Sequence, residues 1–186
     1  MGKLHITFYV LCRLILCFLS VFLACGPPPL VVPEPGAMAA DFTLTDQYDT
    51  EFRLHQFRGE NVLLLGCDKD SLGQGETWSD VFLDRYANSL RILSIANGSG
   101  LPFFVRLFLK GKIKAELRED GSNSKPLRIL LDWEGRVSRQ YGMRPQRCTV
   151  VLIDMAGQIQ LVQPLEQITE DGAETVFDLI DRHIRQ

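Results

Sequence analysis

The sequence predicts an α/β domain in which a central mixed sheet is flanked by helices and preceded by a small β-hairpin. Two observations carry this. Four runs, residues 62–66, 91–95, 127–132 and 149–154, are of strand length and largely apolar without a two-residue alternation, the pattern of strands covered on both faces. Between them lie segments whose apolar residues recur every three or four positions, so strand and helix periods take turns along the chain.

Phe42 and Leu44 alternate with Thr43 and Thr45, residues 46–49 turn, and Phe52 and Leu54 alternate with Glu51 and Arg53, which reads as a hairpin. After the strand at 62–66, Trp78, Val81, Phe82 and Tyr86 set a helix over 76–87. The strand at 91–95 follows. Residues 101–117 open on Pro102, a first-turn residue, and carry Phe103, Phe104, Leu107, Phe108 and Leu109 with Arg106, Lys110, Lys112 and Lys114 interleaved. That composition predicts an amphipathic core helix with snorkelling cations. Its second reading is a helix that lies against a membrane or a partner. The strand at 127–132 leads to a short helix over 136–141 closed by Gly142. The strand at 149–154, a turn through Gly157, an antiparallel edge strand over 159–162 and a helix over 174–184 on Val176, Phe177, Ile180 and Ile184 complete the domain. The sequence contains no internal repeat, glycine-rich phosphate loop or second domain.

The length of 186 residues suits one domain plus extras, and 46% hydrophobic with 23% charged residues is a globular balance. A net charge of −3, with Lys and Arg scattered singly, excludes nucleic acid as a partner.

The first 25 residues differ from the rest. Lys3 and Arg13 precede an uncharged run over 14–24 with the length of a signal-peptide core. The run falls short of the roughly 20 residues that span a bilayer. Extending it back to Ile6 would put Arg13 mid-span at about 2.5–3.5 kcal/mol, which makes a plain anchor the weaker option. Phe22-Leu23-Ala24-Cys25 resembles a bacterial lipobox, with Phe22 in place of the usual Leu. That resemblance implies lipidation at Cys25. Lipoprotein, ordinary signal peptide and uncleaved anchor all export the domain, to the bacterial periplasm or cell surface, with membrane lipid as the expected partner of a tethered form. The chain thus divides into an export signal (1–25), a Pro-rich spacer of extended polyproline character (26–38) and one domain (39–186).

Ala40, Asp41, Phe42, Leu44 and Asp46, followed by Leu54, Phe57, Arg58, Gly59 and the run from Val62 to Leu65, resemble the entry pattern of the redoxins. These are the peroxiredoxin (AhpC/TSA) and TlpA-like branch of the thioredoxin-like superfamily, and Ala40 stands where they carry proline. Tyr141, Gly142 and Met143, followed by Thr149, Leu152, Ile153, Asp154, Gly157 and Ile159, resemble the second anchor of the same family. The resemblance spans about 39–186. It implies a thioredoxin-like fold and, where the site is intact, thiol chemistry without a cofactor.

The family's Cys-x-x-Cys opens the helix after the first central strand, where unpaired N–H groups and the helix dipole favour a thiolate. In this register Ser71 and Gln74 occupy the two cysteine positions, so the site is degenerate. Ser71 is no substitute nucleophile, because an alcohol needs a positioned base and the histidines are His5, His55 and His183. It is read as a helix N-cap. The peroxidatic pattern Pro-x-x-x-Thr-x-x-Cys also fails at Cys67, where Asp68 and Asp70 oppose a thiolate. The candidate thiols are Cys67 and Cys148. The resemblance puts Cys148 at or beside the family's cis-proline, facing the active-site loop, and Cys67 at the end of the adjacent strand, so that both could meet at one sheet edge. They are then either a disulfide, as an exported protein permits, or two separate small buried hydrophobes. Asp68, Asp70 and Asp132 sit at strand ends and are hard oxygen donors, but such residues are usually turn formers and no metal is expected. Trp78 and Trp133 are read as packing or rim residues. The expected function is a non-catalytic binding or accessory module that takes a protein or small molecule on its old active-site face. The alternative is a thiol-disulfide oxidoreductase or antioxidant enzyme using Cys67 and/or Cys148.

Overall fold

The computed structural model describes residues 30–119 and 128–184. The export signal, Cys25 and the first part of the spacer lie outside the described residues.

Strands and helices follow in the expected order. The hairpin strands β1 (Thr43–Asp46) and β2 (Glu51–Arg53) pair antiparallel. Asp46 closes their turn: its Oδ1 accepts the N–H groups of Tyr48 and Thr50 at 2.8 Å each, and its Oδ2 meets Arg128 at 2.6 Å. A 3-10 turn, Leu54–Phe57, leads into β3 (Val62–Asp68), α1 (Leu72–Tyr86), β4 (Arg91–Asn97), α2 (Phe103–Glu119) and β5 (Ile129–Asp132). After them come α3 (Arg136–Gln140), β6 (Thr149–Ile153), β7 (Ile159–Pro164) and α4 (Glu170–Ile184). The strands form one sheet in the order β2-β1-β5-β4-β3-β6-β7, with β3, β4 and β5 parallel and the other pairings antiparallel. As expected, β7 is an edge strand. The end of the spacer lies beside its start: Gly36 N–H donates to Ile159 O at 2.7 Å, and Ile159 N–H to Ala37 O at 2.8 Å.

Successive strand residues point to opposite faces, which is why the central runs are apolar throughout. Leu63 and Leu65, with Val150 and Leu152, pack on Trp78, Phe82 and Tyr86 of α1 and Phe177 and Ile180 of α4. Val62 and Leu64, with Leu93, Ile95, Leu130 and Val151, pack on Val137 and Tyr141 beneath the opposite face. Tyr86 also ties α1 to α4, its hydroxyl donating to Asp181 Oδ1 at 2.8 Å, while the Arg85 guanidinium lies 4.3 Å over the Phe177 ring.

Two helices start four residues earlier than the pattern predicts. The first turns of α1 and α4 contain Gly73, Gly75 and Gly172, poor helix formers that carry no periodic signal.

The helix α2 departs further. As a core helix it would bury its aromatic residues, yet Phe103, Phe104, Leu107 and Phe108 are 75%, 72%, 58% and 73% exposed. Ile113 and Leu109 are what it packs, against Ala96 and Leu131. At about 3.6 residues per turn, Arg106, Leu109 and Ile113 share the inward side, and Phe104, Leu107, Phe108, Gly111 and Ala115 share the outward one. Both sides are apolar, so composition alone does not choose between them. Among the described residues no helix is long and apolar enough to cross a membrane.

Candidate functional site

The place where the resemblance puts the redox loop lies where β3 ends and β6 begins. Gly66 faces Thr149 in that antiparallel ladder, so Cys67 and Cys148 are the next opposed pair. They form a disulfide whose Cα atoms are 4.4 Å apart, close to the spacing of about 4.5 Å for directly opposed residues without mutual hydrogen bonds. The reading of two separate hydrophobes is thereby overturned. The bond also lies at the end of two interior strands, not at a sheet edge, because four strands lie beyond β3 on one side and β7 lies beyond β6 on the other.

The first turns of α1 cover the bond. Ser71 holds the N-cap position, but its side chain makes no cap hydrogen bond. Its hydroxyl turns back, donating to Asp68 Oδ1 at 2.8 Å and accepting the Asp68 N–H at 3.0 Å, so the oxygen that would accept a helix N–H is taken by the loop instead. Asp68 organises the whole loop: Oδ1 also accepts from the N–H groups of Asp70 and Ser71, and Oδ2 accepts the Gln146 N–H at 2.7 Å. Gln74, at the second cysteine position, bridges two backbone segments. Its Oε1 accepts the Cys148 N–H, and its Nε2 donates to Leu165 O, both at 3.3 Å.

Gly75 then presses its backbone onto the sulfurs. A Cβ at that position would sit 2.6 Å from Cys67 Sγ and 3.4 Å from Cys148 Sγ. On the opposite face Met143 fills the space above Gly66, whose added Cβ would fall 2.0 Å from the Met143 sulfur. Cys67 is 8% exposed and Cys148 is fully buried, with its Sγ 3.3 Å from the Ser71 carbonyl oxygen. Thiol-disulfide exchange requires a thiolate to reach a sulfur of the bond. Here that approach is closed.

The other candidates are committed to structure. Asp132 is buried and opens α3, its Oδ1 accepting the Arg136 N–H at 3.0 Å and its Oδ2 the Ser138 N–H and hydroxyl at 2.8 and 2.9 Å. Asp70 pairs with Lys69 at 2.5 Å. Among the described residues no group of three or more His, Cys, Asp or Glu could hold a metal ion. Trp78 is buried and donates its indole N–H to Glu166 O at 3.1 Å, whereas Trp133 is half-buried against Gly98, with Arg106 above its ring. His55 cannot serve Ser71. It pairs with Asp41 at 2.6 Å beside a small cleft lined by Val62 and Ile153, at the far end of β3 from Cys67. The His55 partner holds the Asp41 carboxyl below the usual carboxylate range. Burial pushes the Tyr86 and Tyr141 phenols up, and Tyr141 donates to Ala40 O at 2.5 Å as a packing bond.

The residues that sequence reasoning missed are Gly75, Met143 and the bridging role of Gln74. Gly75 had a readable signal: a glycine inside a helix costs about 1 kcal/mol relative to Ala, which often marks a close approach.

No protein-family model and no curated protein matches the chain. Solved structures do. The pneumococcal exposed lipoprotein thioredoxin of Streptococcus pneumoniae is 21% identical, covering 76% of this chain and 99% of its own, with a TM-score of 0.53. A thiol peroxidase from Chromobacterium violaceum is 16% identical, covering 82% and 89%, with a TM-score of 0.58. A DsbF homologue from Corynebacterium diphtheriae is 13% identical, covering 85% and 96%, with a TM-score of 0.55. The fold is therefore that of the thioredoxin-like redoxins, as the two sequence anchors imply.

Proposed function

We propose that this chain is an exported, membrane-tethered redoxin-fold domain that acts as a non-catalytic binding or accessory module, with Cys67–Cys148 as a structural clamp. The observation that carries the reading is closure: the only domain sulfurs of cysteine are bonded to each other and covered by α1, and the helix N-terminus that activates a redox thiol presents Ser71 and Gln74 instead. The uncharged run over 14–24, the lipobox-like Cys25 and a buried disulfide fit an exported protein, and a neighbour of the same fold is an exposed lipoprotein. The ligand face is the old active-site end of the sheet, formed by the loops after β3, β4 and β5, where open α/β sheets bind ligands.

The test is insulin reduction and peroxide consumption by the purified chain, native and Cys67→Ser. Neither protein should exceed background. Turnover by the native chain that vanishes in Cys67→Ser would overturn the reading.

One observation favours a second reading, a thiol-disulfide oxidoreductase or antioxidant enzyme using Cys67 and/or Cys148. The bonded pair stands at the end of β3 beside α1, and solved neighbours are described as a thiol peroxidase and a DsbF homologue. Under that reading α1 must lift at Gly75 to expose the bond, and the same assays detect it.

A further inference from the structure

Isolated exposed apolar side chains need no explanation, but four within six positions do. Phe103, Phe104, Leu107 and Phe108 stand on the outward side of α2, each more than half exposed. Gly111 and Ala115, both exposed, continue the same stripe down the helix without bulk. Lys112 and Lys114 are exposed too and flank the stripe on either side. Arg106 and Lys110 turn inward, to the Trp133 ring and to Asp49, and the exposed Lys114 ammonium lies 5.5 Å from the centre of the Tyr48 ring, a weak contact that a phosphate can replace. From Phe103 to Ala115 the helix carries these four cations and no acid; Glu116, Arg118 and Glu119 follow, so α2 as a whole holds five cations against two acids in a chain whose net charge is −3. Positive charge is therefore concentrated on the part of this helix that carries the exposed stripe.

We propose that the outward side of α2 is a docking surface for an anionic phospholipid bilayer. The Phe and Leu side chains enter the boundary between headgroups and acyl chains, while Lys112 and Lys114 reach phosphates on both sides of the stripe. A second copy suits the surface less well. An isologous pair would bring lysines of one stripe to those of the other, with no carboxylate between residues 103 and 115 to receive them. The proposal rests on the tether reading for the proximity of a membrane. Gly36, where the domain is first hydrogen-bonded, lies four strand spacings (about 19 Å) from β5. The ten residues 26–35 reach about 31 Å when extended, once Val32 lifts from Gly142. A lipid anchor and an interfacial helix are then the two signals that stable attachment needs.

The experiment uses the full chain carrying Phe104→Trp, reconstituted in vesicles of phosphatidylcholine with or without phosphatidylglycerol, with the unsubstituted chain as the Trp78 and Trp133 background. With phosphatidylglycerol the new tryptophan should shift to the blue and be quenched by lipids brominated along the acyl chain. At about fivefold per cation near an anionic leaflet, Lys112→Ala with Lys114→Ala should lower the docked-to-undocked ratio about 25-fold. Salt at about 0.5 M should weaken docking in the same direction. Absence of bromine quenching overturns the proposal. So does a blue shift without quenching that grows with protein density, which would place a second copy on the stripe. Flotation reads the tether separately: a chain that floats unquenched keeps the tether and loses the docking, whereas one that fails to float but is quenched by excess lipid does the reverse.

Discussion

Reducing the Cys67–Cys148 bond should destabilise the domain by several kcal/mol without changing its fold. The two cysteines are 81 residues apart in sequence. In the loop-closure model a link of that length removes about 15 cal/mol/K of entropy from the unfolded chain, or about 4.5 kcal/mol at 25 °C. That is comparable with the whole stability of many domains, about 5–15 kcal/mol. For a domain of this size each kcal/mol moves the melting temperature by about 2–4 °C, so reduction should lower Tm by about 9–18 °C. The assay is urea unfolding followed by the buried Trp78, oxidised and with excess dithiothreitol. Reduction leaves every side chain in place, so it adds no cavity to the comparison. The oxidised protein should also show a smaller denaturant slope, since its cross-linked unfolded state exposes less surface. By the same thermodynamic cycle, about 4.5 kcal/mol places the bond about 95 mV below the potential of the same disulfide in the unfolded chain. A structural bond should have a reduction potential below about −300 mV, whereas catalytic disulfides exchange near −120 to −270 mV. Coincident unfolding curves for the two forms, or a potential in the catalytic range, would refute the clamp.

Gly75→Ala should cost about 1–3 kcal/mol in the oxidised protein, because its Cβ meets sulfurs that the bond holds in place. In a Cys67→Ala/Cys148→Ala background the same change should become neutral or gain up to about 1 kcal/mol from helix propensity, and a double-mutant cycle by urea unfolding reads the coupling. Acid should act through Asp46. Burial raises its carboxyl pKa, but the N–H groups of Thr50 and Tyr48 and the Arg128 guanidinium outweigh burial and hold it below its ordinary 3.8. A depressed folded value contributes stability that is complete above about pH 4 and is withdrawn as pH falls from 3.8 toward that value. Asp46→Asn should flatten that part of the stability-against-pH curve while lowering stability at neutral pH.

The sheet was readable because two covered faces leave a mark that needs no tertiary information: Val62 to Leu65 and Thr149 to Ile153 are apolar at every step or nearly so, and both prove central. The old site was readable only in part. That Ser71 and Gln74 stand at the start of a helix after the first central strand is legible along the chain. That Cys67 meets Cys148 is not, because it depends on which residue of β6 lies opposite Gly66, a relation across 81 residues. Ser71 misled for a local reason. A serine before a helix normally caps it by accepting a helix N–H, but here the Asp68 backbone N–H takes that oxygen while the Asp68 carboxylate takes its proton. The outward side of α2 was ambiguous for a different reason, since two apolar sides on one helix satisfy any core-helix pattern.

Under the clamp reading proposed above, what sets this site apart from a Cys-x-x-Cys centre is where the sulfur lies. At a helix N-terminus a thiolate is stabilised by unpaired N–H groups and left open to attack. At the end of two opposed strands both sulfurs are fixed by backbone register, one is fully buried, and the other is nearly so. The loops beside the helix start take polar side chains instead. Ser71 and Gln74 supply them, the hydroxyl closing the Asp68 loop and the carboxamide joining Cys148 to Leu165. Each replacement satisfies a backbone or loop group that an apolar residue would strand, at about 1–3 kcal/mol for a buried one. Gln74 thus does two jobs where a cysteine would do neither, and under the clamp reading the start of this helix is a built end of the domain with its own hydrogen bonds.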